Sequence, residues 1–258
     1  MNTIMKNFTL IALFALLFTT LKAQDPQFDA ARKKFEAGKL EEARADLNKA
    51  LASNPRDKAA LDLRGQVRAA MEDLYGAIGD YNLALDIDST YAAVYSHRGE
   101  AKMDLGDDFS AIEDFDKAIH MDAKFADAYT NRGLAKFNID DLEGAYFDFS
   151  KALEIGPIDA DKYFNRGYVK SELGEFISAI DDFNKAIEMD KTDASLFNFR
   201  GEANYQINNF DQALADYDQA IKLDPNDPIK YENRALAKNA KEDFKGALDD
   251  FTKAIELS

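Results

Sequence analysis

The sequence predicts an all-α protein, a solenoid of stacked helix-turn-helix units, and three observations carry that prediction. First, the stretch from Ala160 to Asp193, ADKYFNRGYVKSELGEFISAIDDFNKAIEMDKTD, meets a copy of itself when slid by 34 residues in either direction. Asn165-Arg166-Gly167 returns as Asn131-Arg132-Gly133, and AIDDFNKAI from Ala179 returns as AIEDFDKAI from Ala111 and ALDDFTKAI from Ala247. A fixed period of this length is the signature of stacked repeats. Second, seven copies fit residues 24–258 without an insertion, and two positions are alanine in all of them. Position 20 is Ala43, Ala77, Ala111, Ala145, Ala179, Ala213 and Ala247; position 27 is Ala50, Ala84, Ala118, Ala152, Ala186, Ala220 and Ala254. Third, position 24 is large and apolar throughout, as Leu47, Tyr81, Phe115, Phe149, Phe183, Tyr217 and Phe251.

The copies occupy residues 24–57, 58–91, 92–125, 126–159, 160–193, 194–227 and 228–258. Position 4 reads Leu61, Tyr95, Tyr129, Tyr163, Phe197 and Tyr231 from the second copy on, and position 32 is proline at Pro55, Pro157 and Pro225. With glycine at position 8 (Gly65, Gly99, Gly133, Gly167, Gly201), this pattern resembles the tetratricopeptide repeat (TPR) family. That family has a 34-residue unit with small residues at 8, 20 and 27 and an aromatic at 4. The resemblance covers everything after residue 23. It implies a right-handed superhelical solenoid that works as a binding scaffold for protein or peptide segments, with no cofactor.

Residues 1–23 differ in kind. Lys6 precedes a charge-free run of 15 residues from Asn7 to Leu21, where a membrane-spanning helix takes about 20. A basic start, a short apolar core and the small residue Ala23 describe a secretory signal peptide. Cleavage is expected after Ala23, with export to a periplasm or out of the cell; the alternative is an uncleaved anchor. The chain has no cysteine, so export brings neither a lipidated cysteine nor a disulfide framework. Loss of the leader removes Lys6 and Lys22 and moves the formal charge from −16 to −18. So acidic a surface repels nucleic acid and anionic lipid, which excludes the RNA-binding helical repeats of similar length.

Within each copy, helix A is expected over positions 1–14 and helix B over 18–31. Gly38, Gly106 and Gly174 at position 15 supply the left-handed residue that ends many helices. All five prolines fall at copy boundaries or in a first turn, where no helical hydrogen bond is lost. On helix B, positions 17, 20, 24, 27 and 28 form one apolar stripe. Asp108 breaks that stripe at position 17 beside Phe109, so a local shift is expected there. The first copy carries Gln27, Lys33 and Arg44 where later copies are mostly apolar, the polar outer face of an N-terminal cap. The last copy stops at Ser258. An open apolar edge there makes a self-associating structural protein of the cell envelope the alternative reading.

Two charged positions recur. Position 7 is Arg64, Arg98, Arg132, Arg166, Arg200 and Arg234; position 23 is Asp46, Asp80, Asp114, Asp148, Asp182, Asp216 and Asp250. A feature repeated in every copy serves the stacking more simply than it serves an anionic ligand. The first copy has Ala30 at position 7 and nothing stacked before it, so each arginine is expected to meet the aspartate of the preceding copy, as Arg166 with Asp148. Lys34, Lys102, Lys136, Lys170 and Lys238 at position 11 are expected to lay their stems over the core edge.

Function is sought where the copies differ. Positions 2, 5, 6, 9, 12 and 13 of helix A lie opposite the packed face, on the arc that the TPR resemblance makes a concave groove. Copies four to six place Leu134, Phe137, Phe164, Tyr168, Phe199 and Tyr205 there, with Asn131 and Asn165 beside them. Large apolar groups not needed for stacking mark a binding patch, and asparagine can hold a peptide backbone by donating and accepting. The competing reading packs these side chains against the neighbouring A helix. Copies two and three are poorer in aromatics, with Leu63, Gln66, Ala69, His97, Glu100 and Met103. Acidic Asp127, Asp161, Glu172 and Glu202 on the arc favour a basic or neutral partner.

The resemblance also raises a clamp for C-terminal carboxylates, which needs lysine at position 5 and asparagine at 9. Position 5 reads Phe28, Asp62, Ser96, Thr130, Phe164, Asn198 and Glu232, and position 9 has no asparagine. No clamp is expected. Nor is catalysis: His97 and His120 are the only histidines, no third ligand is spaced to complete a metal site with them, and no phosphate loop or His-Glu-x-x-His motif appears.

Overall fold

Strings of alternating small and large apolar residues at helical spacing leave the chain one way to bury them, as antiparallel helical hairpins packed side by side. The computed structural model describes residues 26–258, which form fourteen helices. They divide into two compact units, one ending at Ser89 and one running from Thr90 to Ser258. The expected signal peptide, residues 1–23, lies outside the described residues.

The first unit holds α1 (Pro26–Glu36), α2 (Leu40–Ser53), α3 (Lys58–Ala70) and α4 (Leu74–Ile87). The second holds α5 (Ala92–Asp104), α6 (Asp108–Met121), α7 (Ala126–Asn138), α8 (Leu142–Ile155), α9 (Ala160–Glu172), α10 (Phe176–Met189), α11 (Ala194–Gln206), α12 (Phe210–Leu223), α13 (Pro228–Ala240) and α14 (Phe244–Leu257). Odd-numbered helices are the A helices and even-numbered ones the B helices. In the complete copies A spans positions 1–13 and B positions 17–30, each B helix starting one residue earlier than expected. Asp108 opens α6 in the same register as its counterparts, so the expected shift is absent. Phe109 simply points to solvent, 71% exposed, and Asp108 accepts a 2.8 Å hydrogen bond from Asn138.

The turn between A and B is a left-handed residue at position 15 in all seven copies. Gly38, Gly106 and Gly174 have φ of 72°, 79° and 77°, and Glu72, Asp140, Asn208 and Glu242 take 63°, 65°, 60° and 64° without being glycine. The following amide closes the helix, as Asp107 N–H donates to the Lys102 carbonyl at 2.9 Å. The next helix is capped at once: Asp73, Asp107, Asp141 and Asp243 each accept from the backbone amide three residues on.

Packing follows from positions 8, 10 and 24. Phe115, Phe149, Phe183 and Tyr217 are essentially fully buried, and each touches position 10 of the next copy, as in the clusters Phe149–Val169 and Phe183–Ala203. Burial of one such ring stabilises by roughly 1.5–3 kcal/mol. Glycine at position 8 is what lets the ring in: a Cβ on Gly167 would stand 3.0 Å from the Phe183 ring, and one on Gly65 would stand 2.4 Å from Tyr81. In the second unit, neighbouring A helices lie side by side, α5 with α7, α9 with α11 and α11 with α13.

Candidate functional site

Two faces of the A helices carry the candidate residues. On the inner face, Arg166 donates from Nε and Nη2 to Asp182 at 2.8 and 2.7 Å, and not to Asp148. The same two-pronged pair joins Arg64 to Asp80, Arg98 to Asp114, Arg132 to Asp148 and Arg234 to Asp250, with Arg200 and Asp216 close to it. The expected pairing with the preceding copy is therefore corrected to one within each copy. The reason is the antiparallel hairpin: positions 7 and 23 lie equally far from the turn residue at 15. Asp46, whose copy has Ala30 at position 7, accepts instead from Lys34 at 2.6 Å.

The preceding copy is reached at position 25. Arg132 also bonds Asp116 at 2.6 Å, Arg64 bonds Asn48 at 2.9 Å, Arg200 bonds Asn184 at 2.7 Å and Arg234 bonds Asp218 at 2.6 Å. Ser150 holds that place before Arg166, and its buried hydroxyl has no hydrogen-bond partner among the described residues. From the third copy on, each guanidinium also lies 5.3–5.7 Å from the ring at position 4, for example Arg132 over Tyr129. The position-11 lysines do more than cover the core. Lys102, Lys136, Lys170 and Lys238 reach the same aspartates at 2.7–2.8 Å, and Arg68 and Asn204 take that role in their copies. Burial alone would push the Asp182 carboxyl up, but Arg166 and Lys170 hold it below the usual carboxylate range. With its donors so engaged, position 7 has little left for an anionic ligand.

The opposite arc behaves differently. Phe137, Phe164, Tyr168 and Phe199, all half-buried, gather into one aromatic cluster across α7, α9 and α11. Ring centroids are 5.3 Å apart for Phe137–Tyr168, 6.1 Å for Phe164–Tyr168, 5.3 Å for Phe164–Phe199 and 5.1 Å for Tyr168–Phe199. Phe164 and Phe199 also rest on the buried Phe183, at 6.1 and 6.5 Å, so the cluster is the exposed crown of the core beneath it. Leu134 sits lower, packed against the cluster of Phe149 and Val169. Tyr205 stands apart and pairs with Phe210 at 5.5 Å.

The two asparagines part company. Asn131 donates its amide to Glu100 Oε1 at 2.7 Å, while Asn165 is half-buried with no hydrogen bond among the described residues. A second pair of the Asn131 kind was not foreseen: Asn233 of α13 donates to Glu202 Oε1 of α11 at 2.8 Å, and Asn198 adds 3.1 Å. Position 9 followed by position 6 of the next copy is the spacing that could have found it. Burial raises the carboxyl pKa of both Glu100 and Glu202. Beside Glu202 lies a cavity of about 180 Å³ lined by Glu202, Tyr205, Gln206, Tyr217, Asn233 and Leu236. A wider, shallower depression of about 420 Å³ lies over the turn after α9, around Phe176, Ile177 and Ile207.

Among the described residues no group of three His, Asp or Glu side chains could hold a metal ion, and no helix is long and apolar enough to cross a membrane. His97 sits on α5 and the exposed His120 near the end of α6.

The chain was compared with known proteins on this footing. Models of the tetratricopeptide repeat match residues 28–92, 126–159, 160–193 and 194–227. No curated protein matches. Among solved structures, a tetratricopeptide repeat protein from Parabacteroides merdae aligns over 90% of this chain and 92% of its own at 20% identity, with a TM-score of 0.66. The Pseudomonas aeruginosa protein pilF aligns over 78% and 91% at 19% identity and a TM-score of 0.71. YrrB, a TPR protein with an unusual peptide-binding site, aligns over 69% and 92% at 22% identity and a TM-score of 0.62. Identities this low speak for the fold alone, and with the family models and the hairpin stack they lead to one statement: the chain belongs to the tetratricopeptide repeat family.

Proposed function

We propose that this protein is an exported scaffold whose A-helix arc in the fourth to sixth repeats binds a segment of a partner protein. TPR proteins act generally as interaction scaffolds, and YrrB, of similar fold, has a peptide-binding site. The carrying observation is the aromatic crown of Phe137, Phe164, Tyr168 and Phe199, half-open on a face that the stacking does not need to be aromatic. Such a surface gains by excluding water against an apolar side chain. Asn165, next to Phe164 and without a hydrogen bond among the described residues, would hold the peptide backbone.

A photo-crosslinking residue placed at Tyr168, compared with one at the exposed Ile177 on α10, tests the groove. Capture of one partner from position 168 alone supports it; equal capture from both positions moves the contact off the groove. Export rests on the composition of residues 1–23, and an N-terminus other than Gln24 on the processed protein would revise it. Self-association is kept as the second reading because α14 exposes Phe244, Leu248 and Ile255. A monomeric mass by sedimentation at micromolar concentration would remove it.

A further inference from the structure

The cavity beside Glu202 carries more information about the partner than the aromatic crown does. Its volume, about 180 Å³, falls below the roughly 300–1,000 Å³ of a small-molecule site, so it suits one side chain. Its wall is mixed: the rings of Tyr205 and Tyr217, the aliphatic Leu236, and the carboxylate of Glu202. That carboxylate is only half used. Both hydrogen bonds it receives among the described residues, from Asn198 and Asn233, go to Oε1, which fixes its orientation and leaves Oε2 without a donor there. No lysine or arginine pairs with Glu202 or with Glu172 among the described residues. Glu172 adds to the negative field at Glu202, and the charge of both is felt at Tyr168 in the crown. A half-buried, oriented carboxylate with no cation beside it among the described residues is open to a paired opposite charge.

We infer that this cavity is a specificity pocket for a basic side chain, lysine or arginine, of the partner segment whose apolar side chain rests on the crown. The inference rests on the groove reading above. The stem of the incoming side chain lies along Leu236 and the tyrosine rings, its cationic head meets Glu202 Oε2, and the ring faces attract the same charge. The overall charge of −16 draws such a segment in. Asn198 and Asn233 position Glu202 and are not themselves the contact.

The test pans the full chain with a phage library of random twelve-residue peptides, beside Glu202→Gln and a Phe164→Ala/Phe199→Ala variant checked to be folded by circular dichroism. The expected result is enrichment of lysine or arginine next to an apolar residue on the wild type. Enrichment on Glu202→Gln should keep the apolar residue and lose the basic one, and the crown variant should lose both. The best peptide is then synthesised with its basic residue and with norleucine in its place. Either change alone, Glu202→Gln or norleucine, should weaken binding about tenfold, and the two together should weaken it little further, the coupling expected of a direct contact. Enriched peptides without a basic residue overturn the pocket and leave the groove standing. No enrichment on the wild type overturns both.

Discussion

On one side of α9, Arg166 and Lys170 converge on Asp182, and the same arrangement returns with Arg132, Lys136 and Asp148, and with Arg234, Lys238 and Asp250. On the other side of the same helix, two residues and about 200° away, Phe164 and Tyr168 meet Phe199 in a cluster whose positions are held in the second repeat by Asp62, Gln66 and Leu63 rather than by rings. The inner seam recurs with the same arginine–aspartate pair in the second to seventh repeats because each of them must close its own hairpin. The outer arc does not repeat in this way, and its composition changes from copy to copy. Periodic contacts in this molecule report on folding, and under the proposed function the aperiodic ones would report on recognition.

The largest effect that would sharpen this contrast is Phe183→Ala, expected to lower stability by about 3–5 kcal/mol in denaturant unfolding. A loss as small as that of exposed Ile177→Ala, within about 0.5 kcal/mol, would break it. Asp182→Ala strands Arg166 and Lys170 and should lose about 3 kcal/mol, and Asp148→Ala should match it. Gly167→Ala forces a methyl against the Phe183 ring at 3.0 Å, for an expected loss of about 1–3 kcal/mol. Tyr168→Ala should shift the thermal midpoint least while abolishing partner capture. Equal losses at Tyr168 and Phe183 would mean that the arc belongs to the core.

The two faces should also answer pH in opposite senses. Asp182 and Asp250 are held below the usual carboxylate value of 3.8, so the stability they contribute is present above that value and lost as pH falls through their lowered one. Glu202 is raised above its usual 4.5 by burial. Its favourable contribution is present below 4.5 and lost as pH rises through the raised value. Thermal midpoints should therefore show Asp182→Asn well below the wild type at neutral pH and converging with it in acid. Glu202→Gln should lie at or above the wild type at neutral pH.

The repeats, the helix pairs and the buried rings at position 24 were legible in the sequence because they are written seven times. The four non-glycine residues at position 15 were not, since Glu72 and Glu242 announce no left-handed turn; their conformation is imposed by the helices on either side. The partner of Arg166 was misread for a reason built into repetition. Asp148 and Asp182 are the same position in neighbouring copies, so the pattern alone does not tell them apart, and only the mirror relation of positions 7 and 23 about the turn selects Asp182. At the arc, residue types marked out a helix face but did not tell which of its side chains meet. Tyr205 separates from the crown and pairs instead with Phe210 of α12, at position 17 of its own copy.

Closing each charge pair inside its own repeat has a consequence for how such a chain can grow. A 34-residue unit that is duplicated or deleted carries the arginine and its aspartate together, so no recombination at this period strands a buried charge. Had Arg166 met Asp148, an array cut short at a repeat boundary would end on a position-23 aspartate without its arginine. The seam makes copy number an inexpensive evolutionary variable, and the arc can then diversify one repeat at a time.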